Sequence, residues 1–173
     1  MKRALILAVL AFMFAGQISL PAAAAEGSNL ASMAGTWSGE GFVRQRSFDE
    51  KQRVKCKIRV TLAGADRTKI NGRCATAARS HKVAMEITTS GSGNRVSSVG
   101  SVSGSAQPFV FNGRRNRTGF TLYLAEPIKQ NGRTITSRTS ILLPDRATLS
   151  ISQIVQDMVT GQKIDAMRIT LTR

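Results

Sequence analysis

One histidine, two cysteines, one tryptophan and one tyrosine are all that 173 residues hold of those four types. One His cannot build a His-rich zinc centre. Two Cys cannot build a four-cysteine zinc site or a cysteine-held iron–sulfur cluster. Carboxylates are scarce as well: ten Asp plus Glu stand against 25 Lys plus Arg, a formal net charge of +15. They are scattered, and the adjacent pair Asp49-Glu50 would face opposite ways on a strand, so no acid–base couple is legible. H-E-x-x-H, P-loop and G-x-S-x-G motifs are missing; Gly100-Ser101-Val102-Ser103-Gly104 comes near the last, with Val where the nucleophile must stand. His81 opens a strand as an ordinary surface residue. The expectation is a protein without catalysis, metal or cofactor. Hydrophobic residues at 42% and charged ones at 20% exclude a wholly disordered polycation.

Long apolar runs are lacking too. The densest, Ala4 to Gly16, falls short of the roughly 20 residues that a spanning helix needs. It follows Lys2 and Arg3 and precedes Pro21 and the small residues Ala22 to Ala25. Positive start, apolar centre and A-x-A site are the parts of a secretory signal peptide, expected to be removed before Glu26. A bacterial periplasm or cell exterior fits this short label best. The organisation expected is a signal over 1–25, an N-terminal segment over 26–34 and one domain over 35–173.

What the domain does hold is alternation. In Arg53 to Leu62, Val54, Cys56, Ile58, Val60 and Leu62 point one way and Arg53, Lys55, Lys57, Arg59 and Thr61 the other. That period of 2 is a half-buried antiparallel strand. Similar stretches span Thr36–Arg46, Thr68–Thr76, His81–Thr89, Arg95–Ser103, Pro108–Phe111, Gly119–Ala125, Arg133–Leu143, Ala147–Val155 and Lys163–Thr172. Turn residues separate them, among them Gly64-Ala65-Asp66, Asn112-Gly113, Asn131-Gly132 and Pro144-Asp145. Val96 to Ala106 reads as a kinked strand or a loop, Gln153 to Thr160 as a short helical turn, and Leu30 to Ala34 as another. The fold class is all-β: a single antiparallel meander of about 8–10 strands closed into a small barrel, which removes exposed edges. Few aromatics and many Ser, Thr and Gly leave both a filled and a hollow interior open.

An oxidising compartment favours pairing of Cys56 with Cys74. Opposed residues of a tight hairpin share a constant sum of positions. Facing cysteines centre the turn on residue 65, inside Gly64-Ala65-Asp66, and oppose Val60 to Ile70 and Ile58 to Gly72. The cysteines then sit at a narrow, non-hydrogen-bonded pair.

The same register gathers cations on the other face. Arg53, Lys55, Lys57 and Arg59 line one strand, with Arg73 opposite Lys57 and Lys69 opposite Thr61. Arg44 and Arg46 end the preceding strand, and Arg114, Arg115 and Arg117 crowd one loop. Like charges so close repel, and an anionic partner relieves that cost. The plain alternative is a solvated, solubilising face. Nucleic acid is disfavoured by the secreted address and by Trp37 and Tyr123 being the only Trp and Tyr for base stacking.

Gly35-Thr36-Trp37-Ser38-Gly39 resembles the G-x-W opening of lipocalin-like barrels. That resemblance implies a Trp across the closed end of the barrel under an Arg of the last strand, Arg168 or Arg173, with Arg168 as the first choice. The opening and the two cysteines of the next hairpin also resemble small exported Gram-negative proteins that carry no established activity. Cys56-Lys57-Ile58-Arg59, with the step to Cys74, is similar to the first-cysteine strand of periplasmic metalloprotease inhibitors, in which the segment before the barrel enters the protease; here that segment is Glu26 to Met33. The leading expectation is a periplasmic barrel binding an anionic or amphiphilic envelope component (lipopolysaccharide, acidic lipid or glycan) or an acidic protein through Arg53, Lys55, Lys57, Arg59, Lys69 and Arg73. The alternatives are a protease inhibitor or an envelope-integrity scaffold.

Overall fold

The computed structural model describes residues 29–44, 49–90, 94–130 and 132–173. The expected signal over 1–25, positions 26–28, Arg46, and turn positions 91–93 and 131 lie outside the described residues.

A five-residue helix α1 (Asn29–Met33) precedes eleven strands. They are β1 (Gly35–Val43), β2 (Gln52–Leu62), β3 (Arg67–Ala75), β4 (Ser80–Thr89), β5 (Arg95–Val102), β6 (Phe109–Asn116), β7 (Gly119–Leu124), β8 (Ile128–Gln130), β9 (Arg133–Leu142), β10 (Thr148–Asp157) and β11 (Lys163–Thr172). Neighbours in sequence pair antiparallel from β1 to β7, β9 pairs with β10, β10 with β11, and β11 returns to β1. β7 and β8 pair with successive halves of β9, so they act as one strand broken at Ala125-Glu126-Pro127. The result is one meander closed into a ten-stranded barrel.

Alternation sets which residues enter the barrel. β2 buries Val54, Cys56, Ile58 and Val60 and exposes every residue between them. Its pairing with β3 opposes Cys56 to Cys74, Val60 to Ile70 and Ile58 to Gly72, the register calculated from the turn centre. The cysteines are bonded, with Cα atoms 4.1 Å apart, as a narrow antiparallel pair requires.

Three local readings change. Asn112-Gly113 is no turn: β6 runs through it, with Gly113 paired to Val96 and Leu122. A Cβ at Gly113 would collide with the Thr121 carbonyl, so the glycine answers a close strand approach. Arg114 and Arg115 therefore stand on opposite faces of a strand rather than crowding a loop. Finally, 153–157 is strand: β10 pairs without interruption with β9 from Ser150 to Asp157, and the bulge opposite Gln153 and Ile154 takes its extra residue, Ala166, from β11, so the apolar pairs Ile154-Val155 and Met158-Val159 only mimic helical spacing.

The end of the barrel that carries α1 is sealed. Trp37 and Met33 are fully buried there, and Trp37 Nε1 donates to the Met33 carbonyl at 2.8 Å. Arg173 lies over the indole and donates to the Ser32 carbonyl. Phe120, Leu122, Ile87, Leu149 and Leu171 pack as the same core cluster, each buried aliphatic worth about 1.5–3 kcal/mol.

Candidate functional site

Above this packed floor the barrel is hollow. A cavity of about 390 Å³ lies between the β2–β3–β4 wall and the β9–β10–β11 wall. Its deeper lining includes Ile58, Ile70, Phe111, Ile141 and Ile169, all buried. Toward the far end the lining residues Val83, Phe109, Leu124, Ile135 and Met167 are only partly buried. The cavity therefore opens away from α1. Gly100 contributes no side chain to its wall: a Cβ there would meet Met85 Cε at 3.4 Å, an ordinary contact.

Among the described residues the lining holds no charged side chain. It does hold polar ones on the β9–β10 wall. Strand pairing sets Gln153 beside Thr139 and Val155 beside Ser137. Gln153 Nε2 lies 3.5 Å from Ser137 Oγ and 3.4 Å from Thr139 Oγ1. In the ring order this wall faces β3 and β4, where the disulfide, Val83 and Met85 are apolar.

At the far rim, Arg133 Nε meets Asp157 Oδ2 at 2.5 Å. Asp157 is 3% exposed, and its Oδ1 accepts from Val159 N at 2.8 Å and Thr160 N at 2.9 Å. The Thr160 amide first, then the Arg133 guanidinium and the Val159 amide, hold this carboxyl down to about 2. The lock fixes the turn after β10, whose Met158 and Val159 are 51% and 83% exposed beside the cavity mouth.

All six expected anion-binding residues, Arg53, Lys55, Lys57, Arg59, Lys69 and Arg73, are exposed on the outer face of β2 and β3. They do not act as one free set. Glu40 of β1 takes Arg53, whose Nε is 3.1 Å away, and Glu86 of β4 lies 3.8 Å from Lys69 and 3.6 Å from Arg67. What remains is a row across three strands: Lys57 opposite Arg73, and Arg73 opposite Lys82. Lys55 and Arg59 flank it, and among the described residues none of these five meets a carboxylate within ion-pair distance. Lys82 was not among the expected residues; extending the register one strand further finds it.

The Trp cover needs correction. Arg173, not Arg168, lies over Trp37, its guanidinium carbon 4.5 Å from the ring centroid. Arg168 alternates outward between Met167 and Ile169, is exposed, and meets Asp165 Oδ2 at 3.0 Å. Trp37 does close the barrel end. His81 is half-buried at the far rim, its Nδ1 3.0 Å from the Ser103 carbonyl. Among the described residues no group of three or more His, Cys, Asp or Glu could hold a metal ion. No described helix is long and apolar enough to cross a membrane.

No family model matches the chain, and no curated protein matches it significantly. Among solved structures it is similar to a redesigned β-barrel, mFAP1, bound to DFHBI. That likeness has 10% identity and a TM-score of 0.47 over 84% of this chain and 98% of the other. EF1p2_mFAP2b bound to DFHBI is similar at 9% identity and a TM-score of 0.38, over 82% of this chain and 90% of that one.

Proposed function

We propose that this protein is a non-enzymatic, lipocalin-like carrier that takes a small apolar or amphiphilic molecule of the cell envelope into its barrel. The carrying observation is the cavity of about 390 Å³: closed at the Trp37 end, open at the other, and apolar with one polar wall. That volume lies in the range of small-molecule pockets, which are concave, mostly apolar and oriented by a few polar groups. The +15 formal charge and the Lys57–Arg73–Lys82 row add an outer surface suited to anionic lipid or glycan, the setting a periplasmic carrier would meet.

The inhibitor alternative needs the segment before the barrel free to enter a protease. Its last residue, Met33, is instead fully buried in the barrel floor, and the Ser32 carbonyl accepts from Arg173, which favours the carrier over the inhibitor. Nothing specific favours the scaffold.

The test is fluorescence of N-phenyl-1-naphthylamine, a neutral apolar probe. It should brighten saturably with the protein and fail to do so with Gly100→Leu, whose side chain enters the cavity. Equal brightening by the variant, or none by the wild type, removes the carrier reading.

A further inference from the structure

We infer that the cavity selects an uncharged ligand bearing one hydroxyl or amide group, held by Gln153, Ser137 and Thr139, and rejects the corresponding carboxylate. This rests on the carrier reading and names its ligand chemistry.

Rejection of charge follows from the lining. A carboxylate moved from water into an apolar site pays a desolvation cost that only a counter-charge or several hydrogen bonds can offset. Among the described residues no cation lines the cavity. Arg133 shares the inward side of β9 with Ile135 and Ser137 but is spent on Asp157 at 2.5 Å. The outer cations Lys57, Arg73 and Lys82 stand on the opposite side of the wall from the interior.

Selection of a neutral polar group follows from the β9–β10 wall. Ser137 and Thr139 are 8% and 4% exposed, inward between Ile135 and Ile141, where a packed core would place aliphatic residues. Their contacts to Gln153 Nε2, 3.5 and 3.4 Å, lie at the outer limit of hydrogen bonding. The trio is therefore not a closed structural network. Each hydroxyl keeps its proton to donate, and Gln153 Oε1 accepts from no described residue. A ligand hydroxyl or primary amide both accepts and donates, which matches two hydroxyl donors and one carbonyl acceptor. An apolar tail then lies against Ile58, Ile70 and Met85 on the facing wall.

The experiment is competition against N-phenyl-1-naphthylamine by octan-1-ol, octanamide, octanoate at pH 8 and octane. Octanamide should bind at least ~tenfold tighter than octanoate, and Gln153→Leu should weaken octan-1-ol and octanamide by ~tenfold (one step of 1.4 kcal/mol) while octane changes by under ~threefold. Thr139→Val, which keeps side-chain shape, should act in the same direction and serves if Gln153→Leu does not fold. Octanoate binding as tightly as octanamide, or variants that weaken octane as much as the alcohol, overturns the inference. If octane displaces the probe from the wild type, yet the polar ligands gain nothing from the trio, the carrier stands and this inference falls. If the probe brightens but none of the four ligands displaces it, this inference falls alone; if the probe does not brighten with the wild type, both fall.

Discussion

The Arg173 guanidinium covers the Trp37 indole at 4.5 Å, and Trp37 is fully buried beneath it. The relationship joins the two strands that close the ring. Ser38 pairs with Thr172, so one further step of the same register sets residue 37 beside 173. Arg173 continues the inward alternation of Ile169 and Leu171, while Arg168 has the outward parity. The cation over the ring and the bond to the Ser32 carbonyl tie β1, β11 and α1 together at one point.

Arg173→Ala should therefore lower unfolding free energy by about 1 kcal/mol, from a partly exposed cation–π contact and one hydrogen bond. Arg168→Ala, whose exposed pair with Asp165 adds little, should stay within about 0.5 kcal/mol of wild type. Urea denaturation of both variants reads the contrast; equal losses would return the covering role to a shared one.

The Asp157 carboxyl, held down to about 2 by the Thr160 amide, Arg133 and the Val159 amide, makes stability acid-sensitive. Its folded pKa lies below the unfolded value near 3.9, so the unfolded chain binds the proton first as pH falls. The contribution is complete above about pH 5 and is lost as pH falls through 4 toward 2. Tm measured from pH 7 to pH 2.5 should fall in the wild type and fall less in Asp157→Asn, which starts lower. Parallel profiles would show that this carboxyl does not carry the acid response.

The disulfide should matter through the unfolded state. Closing the 18-residue separation between Cys56 and Cys74 restricts that ensemble, worth roughly 3 kcal/mol in the chain-entropy account. The Cys56→Ala/Cys74→Ala double variant should lose about that much in a denaturant titration, and dithiothreitol should lower the wild type alone. A double variant as stable as wild type would mean that the closed register holds without the bond.

The β2–β3 hairpin was legible because three signals agreed: strict alternation from Val54 to Leu62, the turn at Gly64-Ala65-Asp66, and two cysteines equidistant from it. Asn112-Gly113 misled because its turn chemistry is local, whereas the close approach of the Thr121 carbonyl that requires Gly113 is tertiary. The hollow interior had no pattern to betray it. Cavity volume depends on summed side-chain size, and Gly100, Ser137 and Thr139 at inward positions look like outward polar residues when met singly. Carrying the parity of Ile135 and Ile141 through 137 and 139 was the signal that could have placed them inside. The cationic stripe was assigned to the right face, but its neutralisation by Glu40 and Glu86 belongs to neighbouring strands and to no run of sequence.

That neutralisation sharpens what the outer face should do. Arg53 and Lys69 already have carboxylates, so removing them should change anion binding little. Lys57, Arg73 and Lys82 stand side by side on adjacent strands with no such partner among the described residues. Directly opposed like charges destabilise a sheet, and each cation near an anionic bilayer is worth about 1 kcal/mol of attraction. The triple variant Lys57→Ser, Arg73→Ser, Lys82→Ser should thus be no less stable than wild type. It should bind phosphatidylglycerol vesicles at low salt ~100-fold more weakly, with a shallower salt dependence. Arg53→Ser/Lys69→Ser is the control for net charge, compared per charge because it removes two cations of the same sheet where the row loses three. Vesicle sedimentation of the three proteins decides the matter: if the control loses as much per charge as the row does, attraction follows total charge alone and the row has no special part in it.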